Sequence, residues 1–307
     1  MDAMHVPGII HGSDLRERGI DRAQIRAWQR RGTVRAVGCW YVTDAAPQDL
    51  VALLERGVRP TCLDACALHG LWIPSDARVH VFRPRTSSRA DPTAGPRAVP
   101  IRRRRDSVTG LLRAVTDDRP SALLPLVHHR PFLAAWPDRD PVPDLELALE
   151  HAGRCLPVRD LAILIESALN LGLLPRSGVD ALLARLPQRT RSPLARVRPD
   201  AQSGTETAVR WWLESLRVSV RAQVPIAGVG RVDLVIGSSW VIECDSRAFH
   251  DDPERYRRDR ERDLVLRALG YTVTRLTWEQ VFVTWAATEA SLLAVLRRGD
   301  HRRRLAA

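Results

Sequence analysis

The sequence contains no lysine; all 47 of its Lys+Arg residues are arginine. That absence excludes a Walker-type phosphate loop, whose lysine reaches the nucleotide phosphates, and any Schiff-base chemistry on a lysine amine. Asparagine occurs once, as Asn170, so residues with A/T-rich codons are generally scarce and a G/C-rich genome accounts for the missing lysine. Exchanging lysine for arginine leaves charge unchanged, however, and the net charge of +11 needs its own reason. The five cysteines (Cys39, Cys62, Cys66, Cys155 and Cys244) are odd in number and form no CxxC pair. With no signal-peptide pattern in Met1 to Gly8, this predicts reduced thiols and a cytoplasmic location. Long apolar runs are also missing. The longest, Leu161 to Leu174, is interrupted by Glu166 and Asn170 and is too short for a bilayer, so no membrane partner is expected.

What is present is an ordinary globular composition, 45% hydrophobic and 27% charged, over 307 residues, a length that suggests two or three domains. The charge is unevenly spread. Residues 1–105 hold 18 arginines against 10 acids, residues 106–195 hold 10 against 11, and residues 196–307 hold 19 against 15. Two seams, Arg83 to Arg105 and Pro187 to Ser203, are rich in proline and arginine and read as exposed connections. Basic ends around a neutral middle suggest a polyanionic partner, most simply nucleic acid, which the motifs of the two ends narrow to double-stranded DNA.

In the N-terminal third, Ser13 is placed to cap a short helix over Asp14–Arg18 that stops at Gly19. Asp21 is placed to cap a second helix, Arg22–Arg31, closed by Gly32. Ile25 and Trp28 make one face of that helix, with Arg22, Arg26, Gln29 and Arg30 mostly on the other. Thr33–Val37 and Cys39–Val42 read as two strands about Gly38. This order predicts a winged helix-turn-helix, its second helix entering the major groove and its ribbon touching phosphates. The stretch from Ile9 to Val42, with Thr61–Leu71 and Val79–Val81 after it, resembles the AbiEi family, the antitoxins of type IV toxin–antitoxin systems. The resemblance covers roughly residues 8–85. It implies DNA binding by Arg22, Arg26, Arg30 and Arg35, and it allows a toxin partner or a homodimer. His69, beside Gly70 at a helix end, is expected to be a C-terminal cap.

Residues 86–105 are expected to be a basic connection, and residues 106–190 a mainly helical connector with helices at Asp144–Ala152, Val158–Leu169 and Val179–Leu186. His128 and His129 are adjacent, so on a helix they would not face one another and could not form an i, i+4 metal pair.

The C-terminal third, residues 200–300, carries the candidate chemistry. A helix capped by Ser203 is predicted to run to about Leu216, followed by strands Val218–Val224, Arg231–Ile236 and Trp240–Asp245, a long helix from Pro253 to before Gly270, a strand Tyr271–Leu276 and a last helix from Trp278. Glu243 and Asp245 lie two apart on one apolar strand and so share a face. Asp233 sits between Val232 and Leu234 in the strand before. Converging carboxylates in apolar strands are costly to bury, and a divalent cation removes their repulsion. Oxygen-only ligands suit Mg²⁺ or Mn²⁺. Stepping back along the apolar stripes of the two helices places Glu206 and Arg262 on inward faces.

These residues resemble the PD-(D/E)XK nuclease superfamily, in the branch similar to Vsr-like endonucleases. The pattern is carried by Arg231-Val232-Asp233-Leu234, Val241-Ile242-Glu243-Cys244-Asp245, His250, Asp259–Arg262 and Leu269–Arg275. Asp245 stands where the superfamily has its lysine. The resemblance implies that Asp233 and Glu243 hold the metal with Asp245 completing the site or positioning water, that Glu206 orients it, that His250 serves as general base or leaving-group acid, and that Arg262 contacts the scissile phosphate. The expected architecture is therefore α+β and multidomain: a winged helix (1–85), a basic connection, a helical middle and an α/β restriction-endonuclease-like domain (200–300). The expected function is Mg²⁺-dependent DNA cleavage. The alternative is a non-catalytic, antitoxin-like DNA-binding regulator in which the nuclease fold has decayed or serves only as a scaffold, and a third reading is an RNA nuclease.

Overall fold

The computed structural model describes residues 6–74, 76, 78–83, 98–100, 103–105, 112–114, 123–130, 135–245, 253–303 and 305. The chain forms two compact units. The first comprises residues 1–70, 76–104 and 112–156; the second comprises 71–75, 105–111 and 157–307.

The first unit begins with β1 (Ile9–His11), α1 (Gly12–Glu17), α2 (Arg22–Arg30), β2 (Arg35–Val37) and β3 (Trp40–Val42). The three strands form an antiparallel sheet in the order β1-β3-β2. Helix α2 starts where the sequence predicts, because Asp21 and Gln24 form a reciprocal capping box that satisfies two backbone donors at once. The cap of α1 differs from expectation: His11, not Ser13, accepts the terminal backbone N–H, and Ser13 lies inside the helix. After α3 (Gln48–Glu55) and β4 (Arg59–Pro60) come α4 (Cys62–Leu68), capped at its C-terminus by His69, and β5 (Val79–Phe82). Arg59 is fully buried. Its guanidinium pairs with Asp138 at 2.6 Å and lies over the rings of Trp136 (4.3 Å) and Trp40 (5.0 Å), so charge, hydrogen bonding and ring quadrupoles together offset its desolvation.

The segment read from sequence as helical is partly sheet. Beyond β6 (Ala98–Pro100) and the paired strands β7 (Arg103–Arg105) and β8 (Leu112–Ala114), residues Leu123–His129 form β9, which lies inside a four-stranded sheet of order β4-β5-β9-β6. Its pairing with β5 is parallel, Val79↔Leu126 to Phe82↔His129. Helix α5 (Leu145–Cys155) closes the unit.

The second unit contains α6 (Val158–Asn170), α7 (Arg176–Arg185), α8 (Gln188–Leu194) and α9 (Gly204–Ser215), then β10 (Val220–Ile226), β11 (Gly230–Ile236), β12 (Trp240–Asp245), α10 (Pro253–Ala268), β13 (Thr272–Thr277), α11 (Trp278–Phe282) and α12 (Trp285–Arg298). The sheet order is β10-β11-β12-β13. The first two pairings are antiparallel and the last is parallel, with α10 as the crossover. Strand alternation sends apolar side chains to two cores. Leu234, Ile236, Trp240 and Ile242 pack with Val209 and Leu213 of α9 and Leu292 of α12. Val232, Val235 and Val241 pack with Leu266 of α10. Each fully buried side chain of this size contributes about 1.5–3 kcal/mol. Gly204 at the start of α9 permits a close approach: a Cβ there would lie 1.9 Å from the Trp72 ring.

Helix α9 is anchored by charge as well. Arg210 and Glu166 of α6, both fully buried, form an ion pair. Glu166 also accepts from Thr207 Oγ1 at 2.8 Å and Trp211 Nε1 at 3.2 Å, while Arg210 reaches Glu214 at 2.9 Å.

Among the described residues no helix is long and apolar enough to cross a membrane.

Candidate active site

The β11–β12 ladder runs from Ile236↔Trp240 to Leu234↔Ile242. One residue further on, side chains take over from backbone. Cys244 N donates to Asp233 Oδ2 at 2.8 Å, and Asp233 N donates to Glu243 Oε2 at 3.2 Å. The two carboxylates are thus inserted between neighbouring strands and fixed by backbone N–H groups, which hold their geometry without neutralising their charge.

Glu206 joins them from α9. Ser203 Oγ accepts the Glu206 N–H at 3.2 Å as the helix cap, and Glu206 Oε2 accepts from Gln202 N at 3.0 Å. Helix capping accounts for those two bonds. It does not account for the third, in which Gln223 Nε2 donates to Glu206 Oε2 at 2.8 Å while also reaching Asp233 Oδ1 at 3.4 Å. Gln223 is therefore the connector between the helix acid and the strand acid. Its backbone takes a left-handed φ of 54° in the middle of β10, a conformation a non-glycine residue adopts at a cost of order 1–3 kcal/mol and which concentrates at functional sites. A neutral glutamine in a half-polar strand carries no sequence signal for this role; only the strand distortion reveals it.

Arg262 enters from α10, one turn before the buried Leu266. Its Nη2 donates to the Arg231 carbonyl at 2.7 Å and to Glu243 Oε1 at 3.1 Å, leaving it about a third exposed. The apolar stripe expected to place it is narrower than the sequence suggests, since Val265 and Leu269 are exposed. Nearby, Arg275 of β13 pairs with Asp263 at 2.9 Å.

Like charge and burial set the electrostatics. Burial first, and the neighbouring Asp233 charge second, push Glu206 and Glu243 each from 4.5 up to about 7. Arg262 and Arg275 act in the opposite direction on Glu243 without cancelling the effect.

Of the remaining expected residues, Asp245 ends β12 opposite Thr277 of β13, with its side chain outside the described residues, and His250 also lies outside them. In the first unit, Arg22, Arg26 and Arg30 are exposed along α2, and Arg35 is exposed in β2 but ion-paired with Glu55.

A mixed four-stranded sheet between α9 and α10, with acids gathered where its central strands separate, defines an α/β domain with an acidic centre. Residues 206–296 match the REase_MTES_1575 family model, and this segment is a restriction-endonuclease-like domain. The match begins at Glu206 and takes in Gln223, Asp233, Glu243, Asp245, His250 and Arg262. None of the curated proteins matches the chain.

Restriction-endonuclease-like folds typically use divalent metals. Glu206, Asp233 and Glu243 offer oxygens only, linked through Gln223 and the Asp233 backbone N–H rather than drawn to a single point, and their mutual repulsion is the kind a hard dication relieves. This has a measurable consequence for stability. Both glutamates have folded values near 7, above the unfolded value of 4.5. The native state therefore holds protons that the unfolded state releases, and the associated stability is present below pH 4.5 and lost as pH rises through 7. Thermal melts of magnesium-free protein should show a larger fall between pH 5 and 8 for the wild type than for Glu243→Gln or Glu206→Gln, and Mg²⁺ at pH 8 should restore the wild type alone. Identical pH slopes in all three proteins would show that neither glutamate is raised by its surroundings.

Proposed function

We infer that this protein is a metal-dependent DNA endonuclease, its restriction-endonuclease-like domain delivered to duplex DNA by the N-terminal unit. The observation that carries the reading is the linked set Glu206–Gln223–Asp233–Glu243 where the β11–β12 ladder ends, with Arg262 on Glu243.

Asp233 and Glu243 would hold Mg²⁺ or Mn²⁺, with Asp245 as the further ligand expected from its place in β12. When bound, the ion lowers the pKa of water and stabilises charge on the reacting phosphate. Cys244 N holds Asp233 in place, and Gln223 ties Glu206 to it, so the acids are preorganised rather than recruited by substrate. Arg262 is long enough and exposed enough to exchange its Arg231 carbonyl contact for a phosphate oxygen, offering a planar fork of donors. His250 is the candidate for proton transfer to or from the phosphodiester.

In the N-terminal unit, the order β1-α1-α2-β2-β3 is compatible with a winged helix-turn-helix in which α2 enters the major groove and the β2–β3 ribbon is the wing. Exposed Arg22, Arg26 and Arg30 supply the phosphate and base contacts; Arg35 would first have to leave Glu55. Arg26→Ala with Arg30→Ala should weaken duplex binding and make the slope of log affinity against log salt shallower by about 2, one unit per lost contact. The measurement is fluorescence anisotropy on a DNA duplex over a salt series. An unchanged slope would assign α2 a purely structural role.

The reading as a whole is tested by incubating supercoiled plasmid with pure protein and Mg²⁺. Nicking that disappears in Asp233→Ala supports it. Nicking that persists there, or none by the wild type, would leave a DNA-binding regulator with a restriction-endonuclease-like scaffold.

A further inference from the structure

The first unit contains a second cluster of metal-ligating side chains, chemically unlike the acidic one. Cys62, His80, His129 and Cys155 bring two sulfurs and two imidazole nitrogens together, all within 4.8 Å of one another. Each comes from a different element. Cys62 opens α4, His80 is in the middle of β5, His129 ends β9 and Cys155 ends α5. The parallel β5–β9 pairing places His129 opposite Phe82, two residues beyond His80, so both imidazoles reach the same side of the sheet. Cys62 and His80 are fully buried, whereas Cys155 reaches the surface and gives an ion a way in.

The spacings match a tetrahedral ion. His80 Nδ1 lies 3.1 Å from His129 Nε2 and 3.7 Å from Cys155 Sγ. With Zn–N near 2.0 Å and Zn–S near 2.3 Å, a regular tetrahedron has N···N edges of about 3.3 Å and S···N edges of about 3.5 Å. A thiol and two imidazoles satisfying one another by hydrogen bonds would not need a second thiol at the same point.

The surroundings orient the ligands. His80 Nε2 faces Asp76 Oδ2 at 3.3 Å, which keeps the proton on that nitrogen and turns the Nδ1 lone pair toward the cluster, the carboxylate–histidine arrangement that supports bound zinc. His129 stacks on His151 with ring centroids 5.5 Å apart, and His151 Nδ1 meets Thr61 Oγ1 at 2.6 Å. Thr61 immediately precedes Cys62 and Asp64 follows it, with Asp64 Oδ2 accepting the His80 backbone N–H at 2.6 Å. The strand and the helix start are thus cross-tied around the four donors.

We propose that Cys62, His80, His129 and Cys155 bind one Zn²⁺ as a closed structural site that fastens α4 and α5 to the β5–β9 pair. Four protein donors leave no open position for substrate, and two thiolates with two imidazoles select zinc over the hard ions suited to the acidic centre. The proposal is independent of nuclease activity.

The test uses the full chain, purified under reducing conditions without chelator. Elemental analysis should find about one zinc per chain, the ratio set by one closed site. Replacement by Co²⁺ should give the intense visible bands of a tetrahedral site together with thiolate-to-cobalt charge transfer. Cys155→Ser should lose part of that charge transfer, and Asp76→Asn, which touches no metal, should weaken Zn²⁺ by about 10–100-fold in a chelator competition. Asp233→Asn should keep its zinc in full. Should Cys62→Ser fail to fold, the wild-type cobalt spectrum and Asp76→Asn decide the matter. Substoichiometric zinc that zinc-supplemented growth does not raise, a weak octahedral cobalt spectrum, charge transfer unchanged in Cys155→Ser, or a Cys62–Cys155 disulfide in the reduced preparation would each overturn the proposal.

Discussion

Asp233→Ala is expected to reduce Mg²⁺-dependent plasmid nicking by at least about a thousandfold, since on the proposed reading Asp233 holds the catalytic metal and its removal forfeits several kcal/mol of transition-state stabilisation. The expectation is specific to this position because Asp233 has two duties. Its Oδ2 accepts the Cys244 N–H at 2.8 Å and its charge is the principal electrostatic neighbour of both Glu206 and Glu243. Asp233→Asn separates the duties: the amide oxygen can keep the Cys244 contact while the charge is lost. If the Asp233→Asn protein melts like the wild type yet fails to nick, the charge is what cleavage requires. If both variants cleave at the wild-type rate, the acidic centre is not where the phosphodiester is broken. DNA binding measured in the absence of metal should be unchanged in either variant, which keeps loss of chemistry distinct from loss of substrate.

The second large effect concerns the buried ion pair behind α9. Glu166→Ala leaves the Arg210 guanidinium, fully buried, without its main counter-charge and strips acceptors from Thr207 and Trp211. Breaking one partner of such a pair costs about 3–5 kcal/mol, whereas replacing both with apolar residues of similar volume is often nearly neutral. Urea unfolding followed by tryptophan fluorescence should therefore show a large shift of the transition for Glu166→Ala and for Arg210→Ala, with Glu166→Leu/Arg210→Met recovering most of the loss. Shifts under about 1 kcal/mol in the single variants would mean the pair behaves as a solvated surface bridge.

The acidic centre is legible in the sequence because it breaks a pattern. Asp233 and Glu243 stand out in strands that are otherwise Val, Leu and Ile, and Glu206 continues the helical spacing of Val209 and Leu213. Strand β12 falls at Trp240–Asp245 as the run of apolar residues predicts. Gln223 is invisible there, because its role depends on a backbone twist rather than on residue type. Strand β9 escapes the sequence reading for an identifiable reason: Pro125 lies inside Leu123–His129, and a proline argues against an interior strand, yet here it pairs with Ala98 of the short β6. A helical reading of that stretch hides the Cys62–His80–His129–Cys155 cluster. Two adjacent histidines on a helix diverge, but the second of them at the end of a strand parallel to β5 meets His80. Donors so widely separated in the chain make no motif, and only long-range strand pairing brings them together.

The assignment of residues 71–75 to the second unit gives Trp72 a significance beyond packing. Its ring lies against Gly204 and is 5.2 Å from Phe282, so a tryptophan encoded among the elements of one unit completes the interior of the other. Any genetic scissor placed near position 156 would hand the downstream polypeptide a hollow where that indole belongs. The two units alternate along the chain, and a homologous swap of either would have to carry residues 71–75 and 105–111 with it.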